Sequence, residues 1–558
     1  MQQINSVFKE AMAGISKKAL AAEWLLGSPA AEIGRLWRIL RASFIVPLLR
    51  VSLYVCLVMS TMLLIEWLYI GGVVLYVKMF GRKPERRYKW EAVEDGSETG
   101  SAAFPMVLVQ IPLFNEKEVY KLSIGAACSL SWPADRLLIQ VVDGSTDILI
   151  KDMVEKECMK WAGRGINIIH QTRETREGYK AGALKEGLNY DYVKECEYVA
   201  IFDADFQPEP DFLRRALPFL IHNQDIALVQ ARWRFFTGKF SMSLKHELSY
   251  DFPVNADECL LTRLEEMSLD YHFTAEQEAG STVHAFFGFN GSAGIWRIAA
   301  INEAGGWDDR TTAEDMDLAV RAVLKGWKLV YVGDLEVKSE LPSTLKAFRS
   351  QQHRWSCGPC NLFGKIVMDV IKSKKVSLWK KVYMIYNFFF VRKIVGHTCI
   401  FFSYCLVLPL TILIPEVNVP KGGAVFIPCI IAGINSILAT PRSLHLVFLW
   451  ILFENVMSLH LTKAIVTGLL GTKNANEWII TEKIGDSTKI KTNNEPVAPE
   501  KPRSEVLRDR ILLPELGFAM FLFLSGGYGF LYRNDYYFVY LFLQGITFTI
   551  VGFGLIGT

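Results

Sequence analysis

With 558 residues, of which 51% are hydrophobic, 12% aromatic and only 21% charged, the chain carries more apolar side chains than one soluble core needs, gathered in a few stretches. A formal charge of +3, with neither a basic block nor a zinc-type ligand cluster, excludes a nucleic-acid reader. Ten cysteines at irregular spacings, several inside apolar stretches, do not form a disulfide framework.

In chain order, residues 1–51 are expected to form an amphipathic arm, with Lys17, Lys18, Arg35, Arg38 and Arg41 near a membrane surface. No short apolar region followed by a small-residue cleavage site opens the chain, so no cleavable signal peptide is expected. Residues 52–78 are long and apolar enough to span a bilayer. Glu66 inside that stretch is expected to face another helix, because a lone carboxylate is costly there. Six basic residues from Lys78 to Lys89 follow at once, and a polar linker runs on to about residue 103.

Residues 104–365 read as a soluble α/β domain. Strands are predicted at 106–112, 137–143, 166–171, 198–205, 226–233 and 328–334, mostly separated by helical stretches, which argues a mostly parallel sheet. Within it, Tyr198 to Ile201 run into Asp203-Ala204-Asp205, and Pro208 breaks the chain. Alternation along a strand would aim both carboxylates to one side, and hard oxygen ligands at a strand end suit Mg²⁺ or Mn²⁺. An ordinary turn built on Asp has the same residues.

Three further clusters share this domain. Asp143 closes a strand and precedes Gly144-Ser145, where the backbone can approach a nucleotide; an Asx turn looks alike. Lys180 stands among small residues at a helix start, Gly178 to Ala183, a setting that favours an anion and is also ordinary packing. In Thr311 to Asp317, Asp315 is placed as a general base, although Thr311 or Thr312 followed by acidic residues also makes a common helix start. Gln351, Arg354 and Trp355 in QQHRWSCGP supply hydrogen bonds and an aromatic face for a sugar chain; an interfacial helix has the same composition.

The membrane returns after about residue 380. Segment 366–470 is assigned interfacial helices and two spans, 395–414 and 424–440. The stretch 444–470, interrupted by Glu454, His460 and Lys463, is expected to lie along the surface. Two more spans are assigned within 511–557, after a loop and polar connector at 471–510. Basic residues near the membrane are more numerous on the α/β side, which leans towards a cytosolic domain. Cys357 and Cys360 imitate a thioredoxin motif without its strand-to-helix setting. Asn290-Gly291-Ser292 matches a glycosylation sequon but reads better as a turn near the acceptor.

The set Asp143, Asp203-Ala204-Asp205, Glu314-Asp315 and Gln351-x-x-Arg354-Trp355 resembles the processive family-2 glycosyltransferases of the cellulose synthase superfamily. VQIPLFNE, GYKAGALKEG, YVAIFDADFQP, FFGFNG, TTAEDMDLAVRA and QQHRWSCGP are similar to the plant cellulose synthase-like A group. That resemblance implies an α/β GT-A (Rossmann-like) catalytic domain embedded in an α-helical multi-pass membrane protein of the Golgi. It implies inverting polymerisation of β-1,4-mannan or glucomannan from GDP-mannose and GDP-glucose, onto a growing polysaccharide, with Mn²⁺ or Mg²⁺. Membrane lipid surrounds such an enzyme, and a homo-oligomer is left open.

By the same resemblance Asp143 and Lys180 serve the nucleotide sugar, and Asp203 and Asp205 the diphosphate and metal. Asp315 is the base, and Gln351, Arg354 and Trp355 hold the acceptor. Trp478 to Gly485 is similar to the gating loop of cellulose synthases. The chain departs from the pattern at Gly144, where the family has a second Asp, and at an insertion spanning 236–253. These departures motivate the alternative of a catalytically impaired variant. The related C group, β-1,4-glucan synthases using UDP-glucose, is the other alternative.

Overall fold

The computed structural model describes residues 29–93, 100–235, 255–420, 422–438, 441–472, 510–533 and 536–557. The insertion at 236–253, the segment resembling a gating loop at 478–485 and residues 1–28 of the arm lie outside the described residues.

Apolar runs carrying one glutamine each build the centre of the sheet. Strands β1 (Val107–Leu113) and β2 (Leu137–Asp143) are almost wholly buried, as parallel strands covered on both faces must be. With β3 (Ile168–Thr172) and β4 (Tyr198–Ile201) they form a parallel set in the order β3-β2-β1-β4. Beyond β4 the sheet continues through β7 (Gly294–Arg297), β6 (Ile226–Arg234), β8 (Lys328–Lys338) and the two-residue β5 (Gln207–Pro208). The sequence reading missed β7, which runs antiparallel to both β4 and β6 and so turns a parallel sheet into a mixed one. Its four residues are too few to show an alternation.

The buried glutamines tie the sheet to the helix Tyr179–Leu188. Gln110 Nε2 donates to Gln140 Oε1 at 2.9 Å, and Gln140 Nε2 donates to the Gly187 carbonyl at 3.0 Å and to Tyr192 Oη at 2.7 Å. Polar groups this deep are tolerated because they are paired. A Cβ at Gly187 would collide with both glutamine side chains, so glycine is what lets the helix sit this close.

Among the described residues, four helices are long and apolar enough to cross a membrane: Glu32–Phe80, Leu378–Leu413, Pro441–Leu469 and Leu513–Tyr532. Ile427–Leu438 and Tyr537–Gly552 are shorter apolar helices. Glu66 faces another helix: Arg392 Nε donates to Glu66 Oε1 at 2.7 Å, and the Asn387 amide bonds the other oxygen. The stretch expected to lie along a surface is a 23-residue helix, Val447–Leu469, inside one of the four apolar segments. Two of the three polar residues behind that expectation, Glu454 and His460, find partners within the protein. Ser268 Oγ donates to Glu454 Oε1 at 3.2 Å, and His460 Nε2 lies 2.9 Å from the Arg349 carbonyl.

Because the Gly187 contact seats the helix that carries Lys180, Gly187→Ala is expected to lower stability by roughly 1–3 kcal/mol, the usual penalty for overpacking. Thermal unfolding of the purified chain in detergent measures it, and an unchanged midpoint would contradict this packing.

Candidate active site

The strand carrying the paired aspartates ends earlier than its sequence indicates. β4 stops at Ile201, so Asp203 and Asp205 stand in a turn beyond it and their directions do not follow from strand alternation. Asp203 accepts a hydrogen bond from Lys180 Nζ, and its backbone N–H donates to Ser292 Oγ at 2.9 Å. Asp205 is buried and accepts from Ser339 Oγ at 3.1 Å. Both aspartates line a cavity of about 870 Å³ that opens at the carboxyl ends of β1, β2 and β4 and continues between the apolar helices.

Lys180 reaches that cavity from an unusual helix start. Gly178 has φ +70° and Tyr179 φ +48°, and the helix begins at Tyr179. Left-handed backbone costs energy for a residue with a side chain and persists only where its surroundings enforce it. It aims Nζ between Asp203 and the Gly291 carbonyl, the latter accepting at 3.0 Å. Burial works against the Lys180 charge, but Asp203, Glu314 and Asp315 outweigh it and raise its pKa.

Across the cavity the helix Glu314–Leu324 opens with two carboxylates. Neither threonine caps it: Ala313 is the N-cap, while Thr311 Oγ1 accepts from the Ala313 N–H at 3.3 Å and donates to the Gly358 carbonyl at 3.2 Å. Burial raises the pKa of both Glu314 and Asp315, Glu314 further by the charge of Asp315, while Lys180 opposes the rise. A carboxylate lifted towards neutral pH is suited to accept a proton. Gly291 abuts the pair, since a Cβ there would lie 2.9 Å from Asp315 Oδ2 and 3.2 Å from Lys180 Nζ.

The helix Leu345–Lys372 supplies Gln351, Arg354 and Trp355 to the same cavity. Gln351 Oε1 is buried without a hydrogen-bond partner among the described residues, an acceptor left for something that enters. Trp355 lies 6.4 Å from Trp233, ring centre to ring centre. Burial lowers the pKa of Arg354, against the pull of Glu314, Asp203 and Asp315. Cys357 and Cys360, on the same helix, are buried thiols.

Asp143 is placed differently from Lys180, Asp203, Asp205 and Asp315. It is fully buried, and Gly144 rather than Asp143 lines the cavity. Asp143 Oδ1 accepts from the Ser145 N–H at 2.8 Å, and Oδ2 lies 3.1 Å from His170 Nε2. Burial would raise its pKa, but His170 and Ser145 prevail and lower it. Asp143 thus makes the Asx turn weighed from the sequence, its carboxylate shaping the turn from beneath. At Gly144 a Cβ would meet only the Leu113 carbonyl and the Phe114 ring, each at 3.8 Å, so space alone does not demand glycine.

Residues that the sequence left without a role also line this end of the cavity. Arg176 stacks over the Phe114 ring at 3.9 Å from its centre, beside Glu116 and Tyr179. Their signal was the sequence of VQIPLFNE itself, whose aromatic-acidic pairing has no meaning until Arg176 is brought to it.

The donor set fits a small divalent cation. Asp203 and Asp205 offer hard oxygens, and no group of three or more His, Cys, Asp or Glu poised for a metal occurs among the described residues. Mg²⁺ and Mn²⁺ are commonly held by one or two carboxylates, with phosphate and water completing the shell. If Asp315 is the general base it must be ionised to accept a proton, and since burial raises its pKa, activity is expected to fall on acidification well above pH ~4, where ordinary carboxylates titrate. A pH profile of the initial rate checks this; a limb at the ordinary value would contradict it.

The chain matches the family described as Glycosyl transferase family group 2 over residues 198–472. Glucomannan 4-beta-mannosyltransferase 2 of Arabidopsis thaliana is 61% identical over 550 residues, covering 98% of this chain and 99% of that relative. Glucomannan 4-beta-mannosyltransferase 1 of Oryza sativa subsp. japonica is 58% identical, covering 95% and 98%. A solved mannosyltransferase from Pyrobaculum calidifontis, in complex with GDP-Man and Mn²⁺, overlaps 74% of this chain at 18% identity and a TM-score of 0.44. On the near full-length identity to the plant enzymes, the chain belongs to the glucomannan 4-beta-mannosyltransferase family of group 2 glycosyltransferases.

Proposed function

We propose that this chain is a processive, inverting glycosyltransferase that extends a β-1,4-mannan or glucomannan backbone from GDP-mannose, with GDP-glucose as a second donor. The observation that carries the reading is the convergence of Lys180, Asp203, Asp315 and Arg354 on one cavity in a chain with this identity to named mannosyltransferases. It works in a membrane, for which the apolar helices are long enough, and the Golgi is the compartment that the family resemblance implies.

The donor enters with its base beside Phe114, Arg176 and Glu116 and its diphosphate towards Lys180. A nucleobase has a π-face on which an aromatic ring and a guanidinium can stack. Asp143 acts as a positioning residue, holding the Gly144-Ser145 turn against the nucleotide through its bond to the Ser145 N–H. Asp203 and Asp205 would hold Mn²⁺ or Mg²⁺, which when bound would supply positive charge to the departing diphosphate.

The acceptor end of the chain lies against Trp355, with Gln351 and Arg354 as hydrogen-bonding partners. Asp315 takes the proton of the acceptor 4-hydroxyl as that oxygen forms its bond to the anomeric carbon. The bond from that carbon to the diphosphate breaks on the opposite face, and its electron pair leaves with GDP. One displacement inverts the anomeric centre, so an α-linked donor gives a β-linked product. A positioned base contributes typically 10²–10⁴-fold. Lys180, already held among three carboxylates, exchanges its bond to Asp203 for the growing charge on the leaving group.

The test is polymer synthesis by microsomes expressing the chain, supplied with labelled GDP-mannose, GDP-glucose or UDP-glucose and with Mn²⁺ or Mg²⁺. GDP-mannose is expected to give a product that mannanase degrades, and Asp315→Asn to cut incorporation by about 10²-fold or more while GDP binding persists. Glucanase-sensitive product from UDP-glucose alone would replace this reading with the glucan one. No product from any donor, beside an active relative, would remove it.

A further inference from the structure

The segment linking Ala285 to β7 meets Lys180, Asp315 and Asp203 through two consecutive residues. Gly291 offers its carbonyl to Lys180 and abuts Asp315, and Ser292 Oγ accepts from the Asp203 N–H at 2.9 Å. Asn290, just before them, lines the same cavity, and its side chain meets a histidine that nothing above employs. His272 Nε2 lies 3.0 Å from Asn290 Oδ1, and His272 Nδ1 lies 2.7 Å from Glu276 Oε2. Gln277 Nε2 bridges them, 3.0 Å from His272 Nε2, 3.1 Å from Asn290 Oδ1 and donating to the Gly288 carbonyl at 3.1 Å.

Local backbone explains how these side chains meet. The helix Leu260–Tyr271 passes into a π-helical turn, His272–Gln277, before α-helix resumes at Glu278. A π turn bonds residue i to i+5, so His272 and Gln277 share a face that an ordinary α turn would not give them. Such turns are frequent at functional sites. Asn290 Oδ1 is held from two sides, by His272 Nε2 and by the Gln277 amide, and His272 Nδ1 faces Glu276.

We propose that Glu276 and His272 are positioning residues for glycosyl transfer: they fix the Asn290–Ser292 segment and through it set Lys180 against the leaving diphosphate and Asp315 against the acceptor hydroxyl. The proposal rests on the roles given above to Lys180 and Asp315. A half-buried histidine–carboxylate contact yields little stability, so orientation is what this one supplies. Arg392, paired with Glu66 at 2.7 Å, closes the network on the membrane-helix side and stands beside Glu276 in the cavity wall. The donor's other contacts, at Phe114 and Arg176, come from different elements, and the dyad does not touch them.

The experiment uses the full chain in lipid nanodiscs with Mn²⁺, GDP-mannose and a manno-oligosaccharide acceptor. His272→Ala is expected to lower kcat about tenfold or more while the KM for GDP-mannose stays within about threefold. His272→Gln keeps an amide donor for Asn290 Oδ1 and is expected to recover most of that loss. Hydrogen exchange of backbone amides 288–293 should rise about tenfold in His272→Ala and stay near wild type in His272→Gln. A kcat within about twofold of wild type in folded His272→Ala, equal losses in the two variants, or a loss carried by KM would each overturn the proposal. If His272→Ala does not fold, Glu276→Gln against His272→Gln makes the same comparison. The exchange readout needs no turnover, so a wild type that ignores GDP-mannose would sink the donor assignment while the dyad is still decided.

Discussion

One buried cation holds the reaction centre together. Lys180 Nζ sits against Asp203 and the Gly291 carbonyl, with Glu314 and Asp315 close enough to raise its pKa. Carboxylates brought this near to one another cannot all ionise unless a positive charge is shared among them. The same lysine moderates the upward push that burial gives to Glu314 and Asp315, so the state of the proposed base depends on a residue from a different helix. Everything that fixes Lys180 therefore also sets the chemistry: the left-handed start at Gly178 and Tyr179, the Gln110–Gln140 pair beneath its helix, and Gly291 above it.

The sheet delivers these groups because its strands end on one side. Ligands in open α/β sheets bind outside the carboxyl ends of the strands, and β1, β2 and β4 obey that rule. The antiparallel β7 adds something a purely parallel sheet would lack. It brings the segment before Gly294 back to the same edge, so Asn290, Gly291 and Ser292 arrive between the aspartate turn and the helix that carries Asp315. The helix Leu345–Lys372 then leads from this edge towards the apolar helices, with Gln351, Arg354 and Trp355 along the cavity that continues between them.

Much of this was legible in residue order. The apolar runs at β1, β2, β6 and β8 announced their strands, and Lys180, Asp203, Asp205, Asp315, Gln351, Arg354 and Trp355 all line the one cavity that their motifs implied. What escaped reading is what depends on partners distant in sequence. Asp143 points inward because His170, on the neighbouring β3, waits beside it. Glu454 and His460 sit in a long apolar helix because Ser268 and Arg349 satisfy them, and no local pattern encodes those pairings. Arg176 and His272 acquire meaning only through Phe114 and Asn290, 62 and 18 positions away. Periodicity reports which face of an element is apolar and says nothing of which polar group will stand opposite.

If Lys180 occupies Asp203 until a nucleotide sugar and its metal arrive, the lysine and the cation compete for one carboxylate. The most direct measurement is Mn²⁺ binding by electron paramagnetic resonance, in wild type and in Lys180→Met, with and without GDP. Without nucleotide, the variant should bind Mn²⁺ more tightly than wild type, because the competing ammonium is gone. With GDP present, it should bind the nucleotide more weakly, because the diphosphate has lost a counter-charge. Mn²⁺ and GDP affinities that both stay at wild-type values in Lys180→Met would contradict the placing of Lys180 and Asp203 at the centre of this reaction.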